Sequence, residues 1–141
     1  MLALAALSAR ALAEAAATEG LSAVALDVFG DADTRRLAVE WHGIGAAGSL
    51  HIDGDRFLEV LARLARRGDV RGWIAGSGFD GRPDLLERGA ACLPLLGTPA
   101  SDVRHVRDPQ AFFGELDRLG IGFPEIRFEP PAQTEGWLRK D

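Results

Sequence analysis

Two apolar runs separated by one helix-length segment restrict the fold of this chain more than any other feature. Leu2 to Leu7 is short and apolar, and reads as a buried strand. Ser8 follows as a helix cap, a helix is expected from Arg10 to about Glu19, and Gly20 stops it. Leu21 to Val28 reads as the second strand. Strand, helix and strand with such short connections make a βαβ unit, which forces the two strands to lie parallel with a right-handed crossover.

The same alternation continues downstream. A Gly- and Asp-rich turn runs from Phe29 to Thr34, and Arg35 to Glu40 reads as a short helical piece. Residues 41–52, with Gly43, Gly45 and Gly48, show little periodicity and read as loop. Asp53 or Asp55 caps a helix reaching Arg67, with Phe57, Leu58, Leu61, Leu64 and Ala65 on one helical face. Val70 to Ala75 is the next expected strand, and Gly76 to Gly81 a Gly-rich loop. Pro83 opens a helix to about Arg88, and Ala91 to Leu96 reads as another strand enclosing Cys92. Thr98-Pro99 and Asp108-Pro109 open two more helices, the second closed by Gly120. Glu125 to Phe128 reads as a fifth strand, Pro130-Pro131 as the start of a linker, and Gly136 to Lys140 as a further strand. The expected class is α/β, a Rossmann-like three-layer sandwich with a mainly parallel sheet of four to five strands.

Composition narrows the function classes. A 141-residue chain with 47% hydrophobic residues supports one ordinary core. The net charge of −5, without a basic block, argues against a nucleic-acid partner. Cys92 is the only cysteine, which fits a reducing, cytoplasmic compartment. Arg10 and Glu14 interrupt the alanine-rich N-terminal stretch, so neither a signal peptide nor a membrane partner is expected.

Three clusters are candidate ligand sites, each with a plain structural alternative. Gly76-Ser77-Gly78-Phe79-Asp80-Gly81 matches G-x-G-x-x-G between a strand and a helix. It follows the third expected strand rather than the first, and no acidic residue ends the next strand to hold a ribose. That weakens a dinucleotide reading and leaves either a cleft-lining loop or a packing turn. Asp27, Phe29, Asp31 and Asp33 lie in one turn, where the carboxylates suit Mg²⁺ or substrate hydroxyls, or else a helix cap and solvated acids. Ser8 and Arg10 stand at a helix N-terminus, a place for an anion or a simple cap with a surface arginine. His42, His51 and His105 have no metal-ligand spacing, and Trp41 and Trp73 read as core.

The stretch from Gly76 to Lys140 resembles the N-terminal part of ATP-grasp enzymes. The resemblance rests on the glycine loop, on Leu95-Leu96-Gly97-Thr98-Pro99, on Asp108 before a helix, and on Gly120-Ile121-Gly122-Phe123-Pro124. The first half is similar to a smaller bacterial branch of that superfamily, associated with tetrahydromethanopterin-related genes. Asp108-Pro109 departs from the Asp-Lys common at that point, so that ATP contact is missing or supplied elsewhere.

The resemblance implies a pre-ATP-grasp domain over 1–129, with 130–141 as linker and start of an ATP-grasp domain that lies beyond this chain. It implies Lys140 as a phosphate contact. It further implies ligation of a carboxylate to an amine through an acyl phosphate, with ATP and Mg²⁺ in the parent enzyme and neither held tightly by this piece, which is inactive alone. The implied partners are a small-molecule substrate, the ATP-grasp domain and a second copy in a homodimer. The alternative is a self-contained flavodoxin-like or nucleotide-binding module without catalysis.

Overall fold

A computed structural model describes residues 1–46, 48 and 50–139. They fall into two compact units divided between Asp108 and Pro109.

The first unit holds four strands, β1 (Leu2–Ala5), β2 (Ala23–Asp27), β3 (Glu40–Gly43) and β4 (Trp73–Ala75). They form one sheet in the order β3-β2-β1-β4 with every pair parallel. The registers set Ala3 opposite both Val24 and Trp73, and Asp27 opposite Gly43. Five helices accompany the sheet: α1 (Arg10–Thr18), α2 (Ala32–Leu37), α3 (Gly54–Arg67), α4 (Pro83–Cys92) and α5 (Ala100–Arg107).

The strands are apolar throughout because both sheet faces are covered, as a parallel sheet requires. Alternate residues face two separate cores. Ala3, Ala5, Val24 and Leu26 pack with Phe57, Leu61 and Leu64 of α3 and Leu85 of α4. Leu4, Ala23 and Ala25 pack with Ala9, Ala13 and Ala16 along α1. The first core is the larger, and its centre is aromatic. Phe57, Trp73 and Phe79 lie 5.1 to 5.4 Å apart, centroid to centroid, in edge and tilted arrangements.

Local chemistry corrects several sequence expectations. Ala9, not Ser8, is the N-cap of α1, and no side chain of the helix's own start caps it. Asp31 caps α2 through the Thr34 N–H at 2.8 Å, so this helix begins at Ala32 and ends before Glu40. Asp53, rather than Asp55, caps α3, accepting from the N–H groups of Asp55 and Arg56. Gly68 ends α3 in the left-handed conformation, as expected of glycine there.

β3 takes the last residue of the expected helical piece, Glu40, and the start of the expected loop at 41–52; its residues Glu, Trp, His and Gly form a half-buried edge strand without an apolar run. Arg67 holds that edge by pairing with Glu40 and with Asp69, each at 2.8 Å. The strand expected at Ala91–Leu96 is reduced to one parallel bridge between Leu95 and Trp73. Helical propensity carries α4 through Ala90 and Ala91 to Cys92, which ends the helix half-buried instead of sitting in a strand.

The second unit contains α6 (Pro109–Arg118). Gly120 closes it with φ +66°, while the Ile121 N–H returns to the Leu116 carbonyl. Phe113 contacts Phe112 and Phe123 at 5.3 and 5.1 Å. Among the described residues neither Glu125–Phe128 nor Gly136–Arg139 forms a strand; Lys140, the end of the second expected strand, lies outside them.

Candidate functional site

In parallel α/β sheets, ligands bind at the carboxyl ends of the strands, near the point where the winding reverses. Here β1 leads outward through β2 to β3, and α3 then carries the chain back across to β4 on the other side of β1. The reversal therefore lies between β1 and β4.

That notch is zipped shut. The Gly76 N–H donates to the Ala5 carbonyl at 2.7 Å, and the Leu7 N–H to the Ser77 carbonyl at 2.8 Å. A Cβ on Gly76 would stand 2.9 Å from Ala6, and one on Gly78 2.7 Å from the Leu7 side chain. Gly78 also has φ +94°, a conformation that favours glycine. Two glycines of the G-x-G-x-x-G pattern thus let β1 and β4 close together. A Cβ on the third, Gly81, would meet nothing within 4 Å. Among the described residues, Gly76 and Gly78 are thus accounted for by close packing against the end of β1. The order β3-β2-β1-β4 also differs from the flavodoxin arrangement, where the third strand follows the first across the sheet.

The open space lies one strand further out. A cavity of about 540 Å³ sits beyond β4, between the loop after it and the face of α5. Ile74, Gly76, Phe79, Leu86, Leu95 and Val103 provide much of its wall, and Asp80, Thr98, Asp102 and Arg107 its polar lining. Its size falls in the range of small-molecule sites. Of the sequence candidates, Gly76, Phe79 and Asp80 line it. Phe79 is 2% exposed and anchors the loop in the aromatic core, while Asp80 is exposed. Ser77 is exposed on the same loop and Gly78 half-buried. The α5 side of the cavity was not foreseen. Its signal was Gly97-Thr98, a loop that begins two residues after Leu95, which bridges to β4.

The remaining candidates gather at the ends of β1 and β2, with local duties. Asp27 is fully buried and accepts three hydrogen bonds: Ala9 N–H at 3.0 Å, Gly30 N–H at 2.8 Å and Trp41 Nε1–H at 2.6 Å. Its carboxylate serves the start of α1, the position proposed for an anion, and its negative charge opposes a second anion there. The Thr34 N–H, and more weakly the Arg10 guanidinium, hold the Asp31 carboxyl below its ordinary 3.8. Asp33 pairs with Arg36 at 3.4 Å, and Arg10 with Glu14 at 3.8 Å. Ser8 is exposed, and Phe29 is 54% exposed beside them. Lys140 lies outside the described residues. No group of three or more His, Cys, Asp or Glu side chains that could hold a metal occurs among the described residues.

Among the described residues, no helix is long and apolar enough to cross a membrane. No protein-family profile matches the chain, and no curated protein is similar to it at sequence level. Solved structures do share its fold. The biotin carboxylase domain of a single-chain bacterial carboxylase superposes with TM-score 0.65 at 21% identity, over 96% of this chain and 32% of that one. The biotin carboxylase domain of Hydrogenobacter thermophilus 2-oxoglutarate carboxylase, a dimer in complex with MgADP, ADP and bicarbonate, gives 0.60 at 17% identity, covering 84% of this chain and 27% of that one. L-amino acid ligase from Bacillus licheniformis gives 0.60 at 15% identity, over 87% and 31%. The chain thus spans about a third of the carboxylase domain it matches. The likeness shows a shared fold: this chain has the Rossmann-like α/β architecture of part of those enzymes.

Proposed function

We propose that this chain is the substrate-side domain of an ATP-dependent carboxylate–amine ligase, working in the cytoplasm and inactive alone. One observation carries the reading: a sheet shared with ATP-grasp ligases and carboxylases keeps an open, small-molecule-sized cavity beside β4 while its dinucleotide notch is closed.

The described residues do not suit ATP and Mg²⁺. Arg107 is the one cation among the residues lining the cavity, and the three turn aspartates each have a separate protein partner, in a buried clamp, a helix cap and an ion pair, so they form no shared metal site. Phosphoryl transfer needs a metal and several fixed donors around the phosphates. We therefore place nucleotide and metal on an ATP-grasp domain that meets this chain. The chain's own contribution is to bind and orient the reacting molecule against that domain, with Asp80, Ser77 and the β4 loop on one side and Arg10 and Asp31 on the other. Orientation alone supplies a large part of such a barrier reduction.

The test is ADP release from Mg-ATP across panels of carboxylates and amines, for the chain alone and for the chain combined with a separately supplied ATP-grasp domain. The expected result is turnover only in combination. Turnover by the chain alone, or ligase activity indifferent to its presence, overturns the reading.

A further inference from the structure

The cavity beside β4 has a charge pattern that selects among ligands. Its walls are apolar, and the ionisable groups lining it are two carboxylates, Asp80 and Asp102, and one guanidinium, Arg107. Two negatives against one positive leave the mouth with a net charge of −1 (1 − 2). Among the described residues Asp80 and Arg107 have no salt-bridge partner, and Asp102 accepts only the neighbouring Ser101 hydroxyl at 3.1 Å. Leu96 and Val106, 44% and 58% exposed, extend the apolar surface up to this charged mouth.

We propose that this cavity takes a primary ammonium carried on a compact apolar body, the amine partner of the ligation, and not the nucleotide or the phosphorylated acid. The inference rests on the ligase reading and assigns that site its substrate class. An apolar body removes the walls from water, at about 25 cal/mol per Å² buried. The ammonium head then meets a lining with two carboxylates against one guanidinium, where Coulomb attraction favours it and disfavours a carboxylate or phosphate of the same size. Arg107 admits a zwitterion, its guanidinium receiving a carboxylate on the same molecule. A triphosphate meets two like charges and one cation, the reverse of what phosphate sites offer.

The experiment uses the ¹⁵N-labelled full chain and three probes of nearly equal shape: cyclohexylmethylamine, cyclohexanecarboxylate and cyclohexylmethanol. Amide shifts are followed on titration, with the Asp80→Asn/Asp102→Asn double variant as control. Both positions are exposed, so the variant should keep the wild-type spectrum elsewhere. The expected result is that the amine shifts amides from Gly97 to Arg107 and in the β4 loop, binds more tightly than the other two probes, and weakens about five- to tenfold in the double variant. No shifts with the amine, equal or tighter carboxylate binding, or amine affinity unchanged in the variant overturns the assignment. Each of those results leaves the ADP-release assay to decide the ligase reading separately.

Discussion

Trp41 Nε1 donates to the buried carboxylate of Asp27 at 2.6 Å, tying the edge strand β3 to the end of β2. The same carboxylate holds the Ala9 N–H at the start of α1 and the Gly30 N–H in the following turn. One residue thus secures three crossings of the sheet's carboxyl edge. Arg35 reinforces the arrangement, lying 3.9 Å over the Trp41 ring while its Nε–H donates to the Gly30 carbonyl at 2.7 Å.

Asp27→Asn should destabilise the chain by about 2–4 kcal/mol, because an amide turns one acceptor into a donor facing a donor. Trp41→Phe, which removes one of three donors and leaves the carboxylate partly satisfied, should cost less. Urea unfolding of both variants checks this. An Asp27→Asn protein as stable as wild type would show that the fold does not depend on the carboxylate's three hydrogen bonds.

Gly89 lies inside α4, where alanine ordinarily improves a helix by up to about 1 kcal/mol. A Cβ there would stand 2.7 Å from the Trp73 ring and 3.2 Å from Phe57. Both rings are fully buried and have no room to yield. Gly89→Ala should therefore lose about 1–3 kcal/mol overall. A thermal melt shifted upward would mean that the aromatic cluster is looser than its 5.1 Å spacing indicates.

These positions show what the sequence could and could not disclose. The parallel sheet was legible because Leu2–Leu7 and Leu21–Val28 are apolar runs joined by one helix, and covered strands must be apolar on both faces. The edge strand β3 was hidden, since Glu40 and His42 look outward to Arg67 and Arg63 and carry no period. The glycine loop was legible as a loop, but its purpose was not. Gly76 and Gly78 are small because Ala6 and Leu7 approach from another strand, a contact no local pattern encodes. The aspartate turn was likewise visible, whereas the partners of Asp27 come from residues 9, 30 and 41 and exist only once the sheet has formed. The α5 wall of the cavity was missed for the same reason.

Acid should expose two of the surface carboxylates. Asp31 is held below 3.8 by the Thr34 N–H, and Asp69 below 3.8 by the Arg67 guanidinium. A carboxyl whose folded value lies below its unfolded value adds stability that is complete above the unfolded value. That contribution fades as pH falls through the folded value. The stability difference between wild type and Asp31→Asn should therefore be flat above about pH 5 and shrink below about pH 4. Urea midpoints for the pair from pH 3 to 7 test the sign. A difference that grows toward low pH contradicts the capping role.

On the proposed ligase reading, kinetics of the chain combined with an ATP-grasp domain should separate the two candidate regions. Ser77→Ala and Arg10→Ala alter exposed side chains, so melting temperatures should stay within a degree or two of wild type. If the β4 loop and the start of α1 both face the reacting molecule, each variant should lower kcat/KM by about tenfold, the loss of one charge-assisted or positioning hydrogen bond. Loss on Ser77→Ala with Arg10→Ala unaffected would confine the site to the cavity between β4 and α5. It would leave Arg10 to its pairing with Glu14 and its pull on Asp31. Unchanged kinetics in both would remove the sheet's carboxyl edge from the substrate's path altogether, because no change in folding would be present to mask an effect.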